Sequence, residues 1–171
     1  MRKILLIGLA VLVGGFVLLQ LVPYGRNHTN PPVTDEVVWD SPETQALAKR
    51  ACYDCHSNES TWPWYSNIAP ISWLVQHDVA EGREHLNFSE WGNGRREEGG
   101  EMAETIYNGQ MPPPIYLITH PEGRLTDSEK QMLAQGLVAV GGSENEHEGQ
   151  ERGENEAGEH EENESAEHEN D

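Results

Sequence analysis

Apolar positions run almost without a break from residue 4 to residue 22, interrupted late by Gln20 and preceded by Arg2 and Lys3. As a helix, a run of this length spans about 28 Å, close to the hydrocarbon thickness of a bilayer. Basic residues on its N-terminal side predict an N-terminus on the cytoplasmic side and an exported remainder. A cleaved signal peptide is the competing reading; its apolar stretch is usually shorter and ends in a small-residue A-x-A-like site. Here the run ends Gln20-Leu21-Val22-Pro23-Tyr24, which favours an uncleaved transmembrane anchor over residues 1–22.

Residues 23–40 carry Pro23, Pro31 and Pro32 among polar positions and show no helical period, so they read as a linker holding a domain off the membrane. Ser41-Pro42-Glu43 then opens a helix, with a capping serine, proline in the first turn and an acid at the positive dipole end. Ala46, Leu47, Ala51 and two cysteines form its apolar face. A second helix is predicted over residues 71–86, where Ile71, Leu74, Val75, Val79 and Leu86 recur at helical spacing. The Gly-rich, charged segment 90–101 reads as a loop. A short helix follows over 102–107, stopped by Asn108-Gly109. Thr126 to Glu129 form a capping box, and Met132, Leu133 and Leu137 give the last helix its buried stripe. Gly136 in that stripe reads either as a close crossing on the first helix of the domain or as a tolerated glycine. No segment alternates as a strand does. The expectation is an all-α domain over residues 41–140, with Met102 and Met132 in its core.

From residue 141 to 171 the chain has almost no large apolar residue and repeats a Glu/Asn/His octad, which predicts a disordered acidic tail. The chain has 171 residues, 30 acidic and 11 basic, for a formal charge of -19. Residues 143–171 hold 13 acids and one arginine; residues 1–142 hold 17 acids and 10 bases, a charge of -7. Nucleic acid is excluded as a partner, since phosphate binding needs clustered Lys and Arg.

The two cysteines are the most informative residues. They are Cys52 and Cys55, followed directly by His56, in the C-x-x-C-H pattern of c-type haem attachment. Two thiols on one helical turn reach the two vinyl-derived carbons along one haem edge. The next residue then sets its imidazole beneath the iron. A thioether sulfur on the opposite side raises the reduction potential and suits ferrous iron. Met111 is the candidate, in Gly109-Gln110-Met111-Pro112-Pro113-Pro114, because prolines stiffen an extended segment able to cross a haem face. His120 is its rival. His77 and His85 fall on the polar side of the second helix and read as surface residues.

Several strings extend this pattern. Cys52-Tyr53-Asp54-Cys55-His56-Ser57-Asn58-Glu59, Trp62-Pro63-Trp64-Tyr65, Ile68-Ala69-Pro70 and Ser72-Trp73-Leu74 resemble the bacterial haem-binding-domain proteins of the cytochrome c type. The similarity continues through Leu86-Asn87-Phe88-Ser89-Glu90-Trp91, Met111-Pro112, His120-Pro121 and Arg124-Leu125, covering about residues 40–138. The resemblance implies one covalent haem c, with Cys52 and Cys55 as thioether attachment points, His56 as proximal ligand and Met111 as distal ligand. It also implies a single-pass protein of the bacterial cytoplasmic membrane with its haem domain in the periplasm. Trp62, Trp64, Tyr65, Pro112 and Tyr116 are candidate pocket residues.

The leading functional expectation is an electron carrier rather than an enzyme, meeting a redox partner that has a basic docking face. The alternative is a haem-based ligand sensor or small peroxidase-like enzyme with an open or labile sixth iron site. A thiol redox protein is disfavoured, because that chemistry sits on a strand-to-helix turn and no strand is predicted. Glu-His-Glu triplets around His147, His160 and His168 suggest, more weakly, loose binding of Zn(II), Cu(II) or Ni(II) by the tail.

Overall fold

A computed structural model of the chain describes residues 1–92 and 99–141. Residues 142–171 of the expected tail, with its histidines, and residues 93–98 of the Gly-rich loop therefore lie outside the described residues, while residues 99–101 of that loop are helical. The apolar N-terminal run is a single helix, α1 (Arg2–Leu19), with no buried residue. It is long and apolar enough to cross a membrane, a criterion that a signal sequence near the N-terminus also meets.

α2 (Pro42–Ala51) begins as its sequence predicts: the Thr44 N–H donates to Ser41 Oγ at 3.1 Å. Its buried face is Thr44, Leu47, Ala48 and Ala51. Ala46, expected on that face, is exposed, because positions three, four and seven beyond Thr44 are the ones that share its side. α3 (Tyr53–His56) is one turn and carries the cysteine-histidine motif. α4 (Ile71–His85), α5 (Gly99–Tyr107), the single turn α6 (Tyr116–Thr119) and α7 (Asp127–Gly141) complete the helices. Two 3-10 turns, Trp64–Asn67 and Pro121–Gly123, stand between them. No strand occurs among the described residues, only an isolated bridge between Asp35 and Glu90. The domain is all-helical, as expected.

Phe88 is the centre of the core: it is fully buried and packs its ring against Trp39, Tyr53 and Trp91 at centroid distances of 5.1, 5.5 and 5.8 Å. Leu47, Met102, Ile106, Leu133 and Leu137 close around this cluster from α2, α5 and α7. α2 and α7 cross closely at Gly136, where a Cβ would lie 2.2 Å from Thr44 Cγ2. That settles the role of this glycine as a crossing point. Met132 departs from the expectation: it is exposed, since Leu133, Ala134, Gly136 and Leu137 are the residues that turn inward.

The segment read as a linker is laid along the domain. The Gln20 side-chain amide donates to the Ala69 carbonyl at 2.8 Å and accepts from the Ala69 N–H at 3.0 Å. Asn30 donates to the Ser60 carbonyl, Asn58 to the Pro32 carbonyl, and the Val37 N–H to the Phe88 carbonyl. Its polar residues and peptide groups saturate buried hydrogen-bonding positions of the domain, which a composition-based reading takes for solvation.

The capping box at α7 is reciprocal. The Thr126 N–H donates to Glu129 Oε2 at 2.8 Å, and the Glu129 N–H to Thr126 Oγ1 at 3.3 Å. The Thr126 N–H, Arg50 at 2.7 Å and the Thr126 hydroxyl at 2.9 Å all donate to the Glu129 carboxylate and hold it down to about 2 from 4.5. A depressed carboxyl stabilises the fold above its unfolded value and loses that contribution on protonation. Stability is therefore expected to fall as pH drops from 4.5 towards about 2. Denaturant titrations of Glu129→Gln should show a shallower fall across that window than wild type.

Candidate functional site

The site is built on α3 and the helix it packs against. Cys52 and Cys55 are half-buried and form no disulfide, and the His56 N–H donates to the Cys52 carbonyl at 2.9 Å, closing the turn. Burial pushes the Cys52 thiol up to about 12, with Cys55 adding to the rise. Burial, then Asp54 and Asp78, push Cys55 up to about 11.

His56 is oriented by backbone. Its Nδ1 lies 2.9 Å from the Gly82 carbonyl and 3.2 Å from the Leu86 carbonyl. Carbonyls only accept, so Nδ1 carries the proton and Nε2 is the basic nitrogen of the neutral ring. A hydrogen bond of this kind fixes the tautomer and ring direction of a metal-binding histidine. Gly82 makes the approach possible: a Cβ there would stand 2.6 Å from the Cys55 carbonyl oxygen and 3.0 Å from Cys55 Cβ. The His56 carbonyl accepts from the Phe88 N–H at 2.8 Å, tying the motif to the core.

Behind the motif lies a buried polar net. Arg83 donates to the Ser57 carbonyl at 2.8 Å, Asn87 to Asn58 Oδ1 at 3.0 Å, and the Asn58 N–H to Ser89 Oγ at 3.0 Å. The strings Ser57-Asn58 and Asn87-Phe88-Ser89, read separately in the sequence, are partners in space.

The segment that carries Met111 and the three prolines is clipped to the same motif. Tyr116 donates its hydroxyl to Asp54 Oδ2 at 2.8 Å, and Asp54 lies between the two cysteines. Tyr116 also stacks on His120 at 4.1 Å, and Tyr65 donates to Thr119 Oγ1 at 2.9 Å. Met111 is partly exposed, and its N–H bonds to the Thr105 carbonyl at 3.1 Å, beyond the turn where Gly109 takes a φ of +69°. Pro112 is buried beside it. Trp64 stands 76% exposed next to Tyr65. Trp62 is occupied elsewhere: its Nε1 donates to Asn30 Oδ1, its ring stacks on His28, and it lines a cavity of about 460 Å³ with Tyr24, Gln76 and Arg83. His77 pairs with Glu81 at 3.4 Å on the surface and His85 is exposed, as expected.

These residues fit a haem. Ile71, Val75, Asp78 and Gly82 share one face of α4 by helical spacing, and Gly82 packs on Cys55. The face towards the motif thus starts at Ile71, which is exposed. Leu74 at the edge of that face, and Ile115 and Ile118 on the clipped segment, are also large apolar residues left uncovered. A flat apolar ligand fixed at the cysteines would bury such surface, which water otherwise disfavours. Among the described residues no three His, Cys, Asp or Glu side chains converge as on a bare metal ion.

Sequence reading missed Asp54 and Gly82. Only Gly82 had a signal, a glycine inside a helix, which often marks a close backbone approach.

Fold and site together define a small helical domain whose cysteine-histidine motif is packed on α4 and tied to the core. The family model described as the haem-binding domain matches residues 14–139, well over half of the chain. The chain belongs to the haem-binding domain family. No curated protein and no solved structure matches it.

Proposed function

We propose that this protein is an electron carrier with one covalently attached haem c, tethered by α1 to the outer face of the bacterial cytoplasmic membrane. The observation that carries the reading is the His56 imidazole, set by the Gly82 carbonyl with Nε2 as its basic nitrogen, one residue from Cys55. Cys52 and Cys55 would supply the thioether sulfurs, His56 the proximal ligand and Met111 the distal one. When bound, the haem supplies one-electron exchange between ferric and ferrous iron.

The chain's own residues do the rest. Gly82 and Leu86 hold the imidazole and strengthen it as a donor. Thr105 and the three prolines carry Met111 on a stiff segment, and the Tyr116–Asp54 bond holds the far end of that segment to the motif. With His56 and Met111 both serving as ligands, the haem would exchange electrons without a substrate site. Residues 23–142, beyond the span, hold 17 acids and 8 bases, and this charge of -9 suits a redox partner with a basic docking face, which speeds encounter more than it tightens binding.

The test is a visible spectrum of ferric and ferrous protein, wild type and Met111→Ala. Wild type is expected to be low-spin with the weak long-wavelength ferric band of iron–thioether ligation, and the variant to lose that band. A high-spin ferric spectrum unchanged by the substitution and shifted by cyanide would overturn the assignment. It would favour the sensor or peroxidase-like alternative.

A further inference from the structure

The contact between α1 and the domain has a consequence for where the haem site stands. It rests on the proposal that α1 stays in the membrane as a span. α1 has 18 residues, a rise of about 27 Å against a hydrocarbon layer of about 30 Å. Gln20, the residue directly after it, therefore lies where hydrocarbon gives way to headgroups. That same Gln20 grips the Ala69 peptide from both sides, at 2.8 and 3.0 Å, and accepts from Arg26 at 3.1 Å.

No slack follows the grip. Gly25, at a φ of +76°, lies so close to α4 that a Cβ would stand 2.2 Å from the Ser72 carbonyl oxygen. Three residues later, His28 Nε2 is 3.2 Å from the Ser66 carbonyl. The chain leaving the span is thus flush with residues 66–72. Exposed around this attachment are Leu21, Tyr24, Trp64 and Asn67, and tyrosine and tryptophan favour the membrane–water interface.

We infer that the haem domain is seated directly on the lipid bilayer, with the turn at residues 64–70 and the N-terminal end of α4 at headgroup depth. α4 rises about 17 Å from Ile71 to Gly82, the residue that holds His56, so the iron-binding site stands within roughly 20 Å of the bilayer surface. A redox partner then meets this domain along the plane of the same membrane.

The experiment uses the full chain in vesicles of phosphatidylethanolamine and phosphatidylglycerol, with a photo-crosslinking residue as Asn67→p-benzoylphenylalanine. A second version carries a flexible Gly-Ser insertion of about ten residues between Leu19 and Gln20, ahead of the grip on Ala69, which adds a reach of roughly 17 Å. Both are checked for an unchanged haem spectrum and for sedimentation with the vesicles. The expected result is a lipid adduct at position 67 in the first protein and its loss in the second, with both sedimenting. A sedimenting chain with no adduct, or with equal adducts in both versions, would overturn the seating alone. A chain that fails to sediment, or whose isolated form lacks residues 1–22, would overturn the anchor and with it the seating.

Discussion

Phe88→Ala is expected to cost about 3–5 kcal/mol, the range for emptying a buried aromatic site. Small domains are stable by only about 5–15 kcal/mol, so this one change removes a large part of the total. Phe88 is fully buried, and three aromatic rings from separate segments, Trp39, Tyr53 and Trp91, lose their common partner. The backbone at the same residue ties the motif: the Phe88 N–H donates to the His56 carbonyl and its carbonyl accepts from Val37. The substitution should therefore loosen the haem site as well as the core. Urea titration of the purified protein measures the stability, and Phe88→Leu should recover part of it, since leucine refills much of the volume but makes none of the three ring contacts. A loss below about 1 kcal/mol for the alanine variant would contradict this account of the core.

Gly82→Ala is the second large effect, acting on the site first. A methyl group there meets the Cys55 carbonyl oxygen at 2.6 Å, a backbone atom with no rotamer to escape into. α4 must withdraw from the motif, at about 1–3 kcal/mol for overpacking of this kind. Withdrawal also lengthens the bond between the Gly82 carbonyl and His56 Nδ1. Because that bond makes the imidazole a better donor, the reduction potential is expected to change together with stability. Potentiometric titration beside thermal melting separates the two. Gly136→Ala is the natural control: it crowds Thr44 at 2.2 Å where α7 crosses α2, with no contact to His56 or Gly82 among its near atoms, and should lower stability while leaving the potential in place. Equal shifts of potential in both variants would mean that Gly82 acts only through packing.

The parts legible in the sequence were those written in local spacing. Ser41-Pro42-Glu43, the box from Thr126 to Glu129 and the period of residues 71–86 each encode a helix through neighbours a few positions apart. The cysteine-histidine motif is equally local. The rest depends on contacts across the chain. Tyr116 meets Asp54 across 62 positions and His56 meets Gly82 across 26, and nothing in either neighbourhood announces its partner. The 3-10 turn Trp64–Asn67 and α6 are too short to show a period. Residues 23–40 misled because proline and polar residues suit a solvated linker and also suit an extended strap that hydrogen-bonds a domain. Gln20 and Asn30 spend their amides on the domain's backbone, which composition does not reveal. Met132 misled for a narrower reason: it sits at the margin of the α7 stripe, where one step around the helix separates core from solvent.

The central claim is that haem is bound to this chain through the sulfurs of Cys52 and Cys55. It is tested most directly by extracting the purified protein with acidified acetone and weighing the intact polypeptide that is left. The account predicts a polypeptide heavier than its sequence by one haem, with a ferrous pyridine spectrum of a haem that has lost both vinyl groups. The same measurement on Cys52→Ala/Cys55→Ala should give the bare polypeptide mass. Haem that leaves the wild-type protein completely, with the chain at its sequence mass, would contradict the claim.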